Sequence, residues 1–443
     1  MPSRLRLAAP LVAIAFAAAA AADVLVVEEP PGAGSYGTIQ AAVDDAADGD
    51  VILVRYGSID GYPGFFVNGK AIDVVGEPGF GQRPVVAGSV RVTNVPAGKR
   101  VLLSGLDVHG VTSSALYAGY GLWAFSNDGR VRVQDCALVG ADNADEPSNC
   151  SGLGDETGWE GALLTDSADV AFSHSTLTGG VGLSQKQSIG GCWEETSGGD
   201  GGHALAASNA IVTMYECELF GGAGGYGATG DGAATGTTGG NGAFVQGGTL
   251  FASGTYSEGG RGGVFFDILA LPVPGGAGGH GLQLSPGTTS TMIDCELVGG
   301  DGAPGIFGAP DGADGLPWLG GTLTPLLGDA RDFVCASPHP EAQPLLMQFT
   351  GDPMDEIFVL LGLGDEAFPL PVLLHGVLLV ANPYVVNIGP IDPSGFLSAV
   401  VPIPALDLGV QSVTLPLQAV FVQPDLTAYL GPQKHLVLLD SAF

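Results

Sequence analysis

The sequence predicts an all-β chain: a parallel β-solenoid of stacked repeats followed by a compact β-sandwich. Three observations lead there. A phrase of apolar strand, Cys or Ser, Leu and glycine recurs, as VRVQDCALVG from Val131, AFSHSTLTGG from Ala171, TMYECELFGG from Thr213 and TMIDCELVGG from Thr291. Aligned on Gly140, Gly179, Gly221, Gly259 and Gly299, five units lie 39, 42, 38 and 40 residues apart. From about Cys335 the glycine-rich text stops, and six apolar runs separated by Pro, Gly and Asp follow.

Residues 1–22 read as an export signal, with Arg4 and Arg6, an apolar run and small residues before Asp23. Without them, 12 Lys and Arg face 46 acids. Such a surface repels nucleic acid and anionic membrane; it suits solubility or cation binding. The chain is expected outside the cell or on its surface. Ala367 to Ile391 carries no charged residue and exceeds the ~20 residues of a membrane span. Its four prolines favour short strands over a membrane helix, so no span is expected once the signal is removed.

In GTIQAAVDDAADGDVILVRYG, Thr38 is placed to cap a short amphipathic helix, and a Gly-Asp turn and an apolar strand follow. GFFVNGKAIDVVGEPG then supplies two more strands. These residues resemble the N-terminal cap and first coil of the pectin-lyase-like right-handed parallel β-helix family. RYGSIDGY departs from that family's pattern after the first strand. The resemblance implies a right-handed β-helix over residues 23–335; residues 336–443 form the expected β-sandwich.

Each unit is read as two short strands and one long glycine-rich loop, too little strand text for a four-stranded propeller blade. Stacked coils would pile equivalent positions into columns ~4.8 Å apart. One column holds Cys136, Ser175, Cys217, Thr255 and Cys295; the glycine column is expected wherever the coil turns sharply. Cys136, Cys217 and Cys295 should be buried thiols, with Cys335 unassigned. Cys150 and Cys192 fall in the same loop of neighbouring units, 42 residues apart, and an exported protein allows them to form a disulfide.

The resemblance implies a polysaccharide lyase or hydrolase acting on acidic polysaccharide. Lyases of this fold use a basic residue beside calcium-holding carboxylates, and hydrolases use paired carboxylic acids. Asp128, Arg130 and Asp169 are the catalytic candidates, with Arg132, Asp166 and His174 nearby; turn chemistry accounts for the same residues. Tyr120, Glu160, His203, Asn241 and His280 form a column that could contact a glycan or simply join loop to strand. Loop acids Asp200, Asp231, Asp301, Asp311 and Asp314 could organise around calcium, or serve as solvated turns; no other cofactor is expected. Only Lys186 and Arg261 are basic within units two to five, so most of the expected solenoid lacks a lyase base. A non-catalytic, glycan-interacting surface protein is therefore the leading expectation, with extracellular polysaccharide as partner.

Overall fold

The computed structural model describes residues 22–57, 60–111, 119–142, 157–182, 198–229, 236–267, 272–362, 364–369 and 374–443. Cys150, Cys192, Asp231 and nearly all of the expected export signal lie outside them. Among the described residues the fold is nearly all β, with one helix, Ile39–Asp45.

Thr38 caps that helix, its hydroxyl accepting from the Ala41 N–H. At the other end Lys70 Nζ donates to the carbonyls of Val43, Asp44 and Ala46, satisfying oxygens that a helix C-terminus leaves open. Ile39, Ala42 and Val43 are buried on the first strands.

Between Val24–Val27 and Thr322–Leu326, twenty strands form one sheet in which every pairing is parallel, and Gly227–Thr229 and Phe265–Asp267 pair separately, also parallel. Three ladders run through the large sheet. Val24–Val27, Val51–Arg55, Asp73–Glu77 and Arg100–Ser104 begin the first, which continues through the second halves of Leu122–Gln134, Ala162–Ser173, Leu205–Tyr215 and Ala243–Ser253 to Thr289–Ile293 and Thr322–Leu326. Tyr62–Asn68 and Val85–Thr93 lead into the first halves of the same long strands, making the second ladder. The third joins Asp107–His109, Ala137–Val139, Thr176–Thr178, Glu218–Phe220, Tyr256–Glu258 and Glu296–Val298. Each unit thus supplies three ladder positions, one more than expected, because its opening strand turns a corner and runs on. Leu138, Leu177, Leu219, Ser257 and Leu297 stand in direct register, as the sequence alignment has them.

The corners are not at the glycine column. Positive φ falls one residue before the Cys/Ser/Thr column, at Asp135, His174, Glu216, Gly254 and Asp294, and at Ser126, Asp166, Asn209 and Gly247. Side chains of the following column close the corner. Cys136, Ser175, Cys217, Thr255 and Cys295 each donate to the carbonyl two residues back, at 3.2, 3.0, 3.3, 3.3 and 3.3 Å. A thiol and a hydroxyl both perform this task, which explains the interchange. Cys136, Cys217, Cys295 and Cys335 are free thiols, and Cys295 is only partly buried.

The glycines serve a different geometry, close backbone approach. The Gly180 N–H donates to Trp159 O, Gly202 to Gly180, Gly222 to Gly202, Gly240 to Gly222, Gly260 to Gly240 and Gly279 to Gly260, all at 2.7–2.8 Å. Outgoing and returning legs of successive units therefore interleave. Along a returning leg the partners recur every third residue: Gly236, Gly239 and Gly242 donate to Pro274, Ala277 and His280. That is the period of a polyproline-II-type helix, which makes no internal hydrogen bonds and must find them in neighbours. A Cβ on Gly222 or Gly240 would stand 1.9 Å from a carbonyl oxygen. The sequence predicts loops and corners for these segments; where described, they are packed legs.

Beyond Leu326 the longer strands pair antiparallel, from Asp332 onward, and only the two-residue strands His339–Pro340 and Leu374–His375 run parallel to a partner among the described residues there. Asp332–Cys335, Pro344–Thr350 and Phe396–Pro402 make a three-stranded sheet; Glu356–Leu361, Tyr384–Pro390, Ser412–Val422 and Ala428–Leu439 form most of a six-stranded one. Phe333, Leu345 and Phe349 from one sheet and Ile357, Leu415, Phe421 and Leu436 from the other share a core. The six-stranded sheet also lies on the first ladder. Its strand Ala428–Leu439 is buried at every position, with Val437 and Leu439 meeting Val51, Leu53, Val75 and Leu102. Ala367 to Ile391 supplies short strands where described, and no helix there or elsewhere among the described residues is long and apolar enough to cross a membrane.

Candidate functional site

The catalytic candidates lie on the first ladder and the corner that leads into it. Arg130 and Asp169 are paired in register, so their side chains meet, with Arg130 Nε 3.5 Å from Asp169 Oδ2. Arg132 clamps the same carboxylate with both terminal nitrogens, at 2.7 and 2.8 Å. Asp128 stays exposed at the corner. Arg132 is only 2% exposed, because the strand Ala428–Leu439 covers it and Gln433 accepts its Nε–H. Asp166 accepts from the Asn209 side chain, and His174 pairs with Asp332 at 2.7 Å.

This network extends along the seam between the two units. Asp365 accepts from His435, Gln433 and Arg100, and Arg100 also binds Asp73 with one terminal nitrogen. Burial disfavours ionised Asp365, but its donors His435 and Arg100 outweigh that and hold the carboxyl well below the usual range. Burial likewise pulls the His435 imidazole down. A void of about 10 Å³ beside Arg132, Ser173, Gln433 and His435 has room for at most one water molecule. A polymer substrate has no entry here.

The polar column does line up, and three of its side chains bond the next unit's backbone. His203 Nδ1 accepts from the Asn241 N–H, Asn241 Oδ1 from His280, and His280 Nδ1 from Leu316, at 2.9, 2.7 and 2.9 Å. Burial, opposed by Asp200, takes His203 down to about 4, and burial lowers His280 too; both rings are neutral acceptors near pH 7. Loop acids act similarly, Asp200 accepting from Thr238, Asp311 from Gly305 and Asp314 from Gly302. Asp301 lends its carbonyl to Gly262. No three His, Cys, Asp or Glu side chains gather as metal ligands among the described residues.

Tyr120 and Glu160 sit differently, beside an aromatic group on the outer face of the second ladder. Tyr120 meets Trp159 edge-on at 4.8 Å and Trp123 at 6.0 Å, and Trp123 stacks on Phe125 at 4.3 Å. The Arg91 guanidinium lies 5.7 Å from the Trp123 ring centre. Glycine at 119 leaves the space that the Trp159 ring fills.

No protein-family model matches the chain. No curated protein matches it either. Among solved structures, the superoxide reductase (neelaredoxin) from Ignicoccus hospitalis is similar over 25% of this chain and 80% of its own, at 10% identity and a TM-score of 0.16.

Phe66, Arg91, Trp123 and Trp159 escaped the sequence reading. The signal was the two-residue alternation: Phe65 and Val67, Val90 and Val92, and Leu122 and Ala124 are all buried, so the residue between each pair points outward. Repeats shorter than the later ones hid the alignment of these early strands.

Proposed function

We propose that this is an exported, non-catalytic surface protein, a right-handed parallel β-helix with a C-terminal β-sandwich, that interacts with glycans. The observation that carries the reading is the fate of the catalytic candidates: Asp169 is clamped by Arg130 and Arg132, and Arg132 lies under the C-terminal unit. A base that must reach a sugar ring cannot be spent on a covered ion pair. The aromatic group on the second ladder supports glycan contact, since aromatic faces suit the apolar faces of sugar rings. The reading includes export, a Cys150–Cys192 bridge and no required cofactor.

The test uses the exported chain. Peptide mapping without reduction should recover an N-terminus near Asp23 and the Cys150–Cys192 cross-link. The same material should release no unsaturated, ultraviolet-absorbing product from polygalacturonate, with or without calcium, and should be retained by immobilised polysaccharide. Unsaturated product that vanishes in Arg130→Ala would turn the reading to a lyase.

A further inference from the structure

The last strand of the three-stranded sheet, Phe396–Pro402, pairs on one side only, with Pro344–Thr350. Pro344 and Pro402 stand opposite each other and neither has an N–H, so the pairs that exchange hydrogen bonds are those of Leu397, Ala399 and Val401. The Gly351 N–H, which donates to Gly395 at 3.1 Å, continues the same alternation. Phe396, Ser398 and Val400 therefore turn their backbone groups away from the sheet. The Phe396 N–H has a 3.4 Å contact with Asp392, and the N–H groups of Ser398 and Val400 meet no acceptor among the described residues. On the outer face, Phe396 is 40% and Val400 63% exposed, and Leu346, opposite Val400, is 47% exposed. Neither 393–406 nor Pro344–Thr350 contains a charged residue. Native sheets blunt such an edge with a lysine, an inward charge, a bulge or a proline; from Phe396 to Val401 this strand has none of them.

We infer that this edge pairs with the same strand of a second copy of the chain, antiparallel about a two-fold axis at Ser398, joining two three-stranded sheets into one. Symmetry sets the register. With Ser398 opposite the partner's Ser398, Phe396 faces the partner's Val400, and each outward N–H and carbonyl of these three residues finds its complement. Centred on Ala399 instead, Phe396 would face the partner's Pro402, which has no N–H to return. Charge selects the occupant. Each copy carries a net charge of -32, so copies repel over most of their surfaces, and this uncharged edge gives them a place to meet. A basic partner, which the acidic chain attracts elsewhere, finds no carboxylate on this strand. The open edge of Thr322–Leu326 suits pairing less well: the Thr322 N–H donates back to Thr288, so Leu323 and Pro325 face outward, and Pro325 has no N–H.

Sedimentation velocity of the full chain over about 1–100 µM tests this; one strand makes a small interface, so half-dissociation should fall within that range. Ser398→Lys sets two ammonium groups opposite each other, and Ser398→Pro removes an outward donor while sparing the ladder to Pro344–Thr350. Each should weaken dimerisation at least about 10-fold and leave the melting curve of the monomer cooperative. Thr324→Lys, on the other open edge, should leave the dimer unchanged. Ser398→Cys should cross-link two copies on oxidation by diamide, since opposed positions with Cα atoms ~5.5 Å apart admit a disulfide, and the parent chain should not. A chain that stays monomeric up to about 100 µM, or a dimer that survives both Ser398→Lys and Ser398→Pro, would overturn the assignment. So would a dimer lost in Thr324→Lys, or one whose Ser398→Cys variant fails to cross-link, because the two strands then do not meet at Ser398.

Discussion

At single residues, the corners of the parallel sheet decide what the chemistry can be. Glu216 occupies a left-handed corner, φ 51°, where burial first, then the Asp332 and Asp294 charges, push its carboxyl up to about 8. The folded chain therefore holds a proton that the unfolded chain releases from about pH 4.3 upward. Between those values the folded state binds more protons, so this residue's contribution to stability falls as pH rises and is fully lost above about 8. Glu216→Gln removes the penalty: its melting temperature relative to the parent should rise from pH 5 to pH 8.5, and an equal difference at both would refute the assignment. Much at this scale was legible in the sequence. Thr38 as cap and the Cys/Ser/Thr column were readable because each makes contacts within its own few residues. The partners of Arg132 were not, since Gln433 lies 301 residues away and no local pattern encodes so distant a neighbour.

Strands and legs differ in what they ask of a sequence. A half-buried strand announces itself by alternation, and register followed from aligned apolar positions. The glycine legs carry no hydrophobic period; their signal is the triplet, two glycines and one other residue, as in FGGAGG, EGGRGG and PGGAGGH. Read as flexible text it suggested loops, whereas the three-residue period matches the hydrogen bonding between legs. Packing this close leaves no room for a side chain. A Cβ on Gly260 would lie 1.9 Å from the Gly222 carbonyl oxygen, so Gly260→Ala must force two backbones apart. It should cost about 2–3 kcal/mol in denaturant unfolding, in the range of overpacked interiors, whereas Ala223→Ser, at a partly exposed position of a leg, should cost less than ~0.5. Equal stability of Gly260→Ala and the parent would mean that the legs are not packed.

For the whole molecule, the seam matters more than either unit alone. Tyr215, Phe251 and Ile293 of the first ladder belong to the same core as the C-terminal sheets, so apolar packing crosses the boundary. Beside it runs the buried chain of Arg100, Asp365, His435, Gln433 and Arg132. Buried charges of this kind add little over an apolar seam, but they fix one docking geometry and are costly to break singly. Asp365 is the shared acceptor at its centre. Asp365→Asn leaves Arg100 with Asp73 alone and sets an amide against two side-chain donors, so it should cost about 3–5 kcal/mol. Because the parent carboxyl is depressed, its contribution is present above the unfolded value near 3.9 and fades only as pH falls below it; the difference should be full at pH 7 and shrink under strong acid. Scanning calorimetry should resolve the loss into an early transition for the C-terminal unit and a later one for the parallel sheet. A single transition at the parent temperature would show that the apolar contacts of Tyr215, Phe251 and Ile293 hold the two units together without the charges.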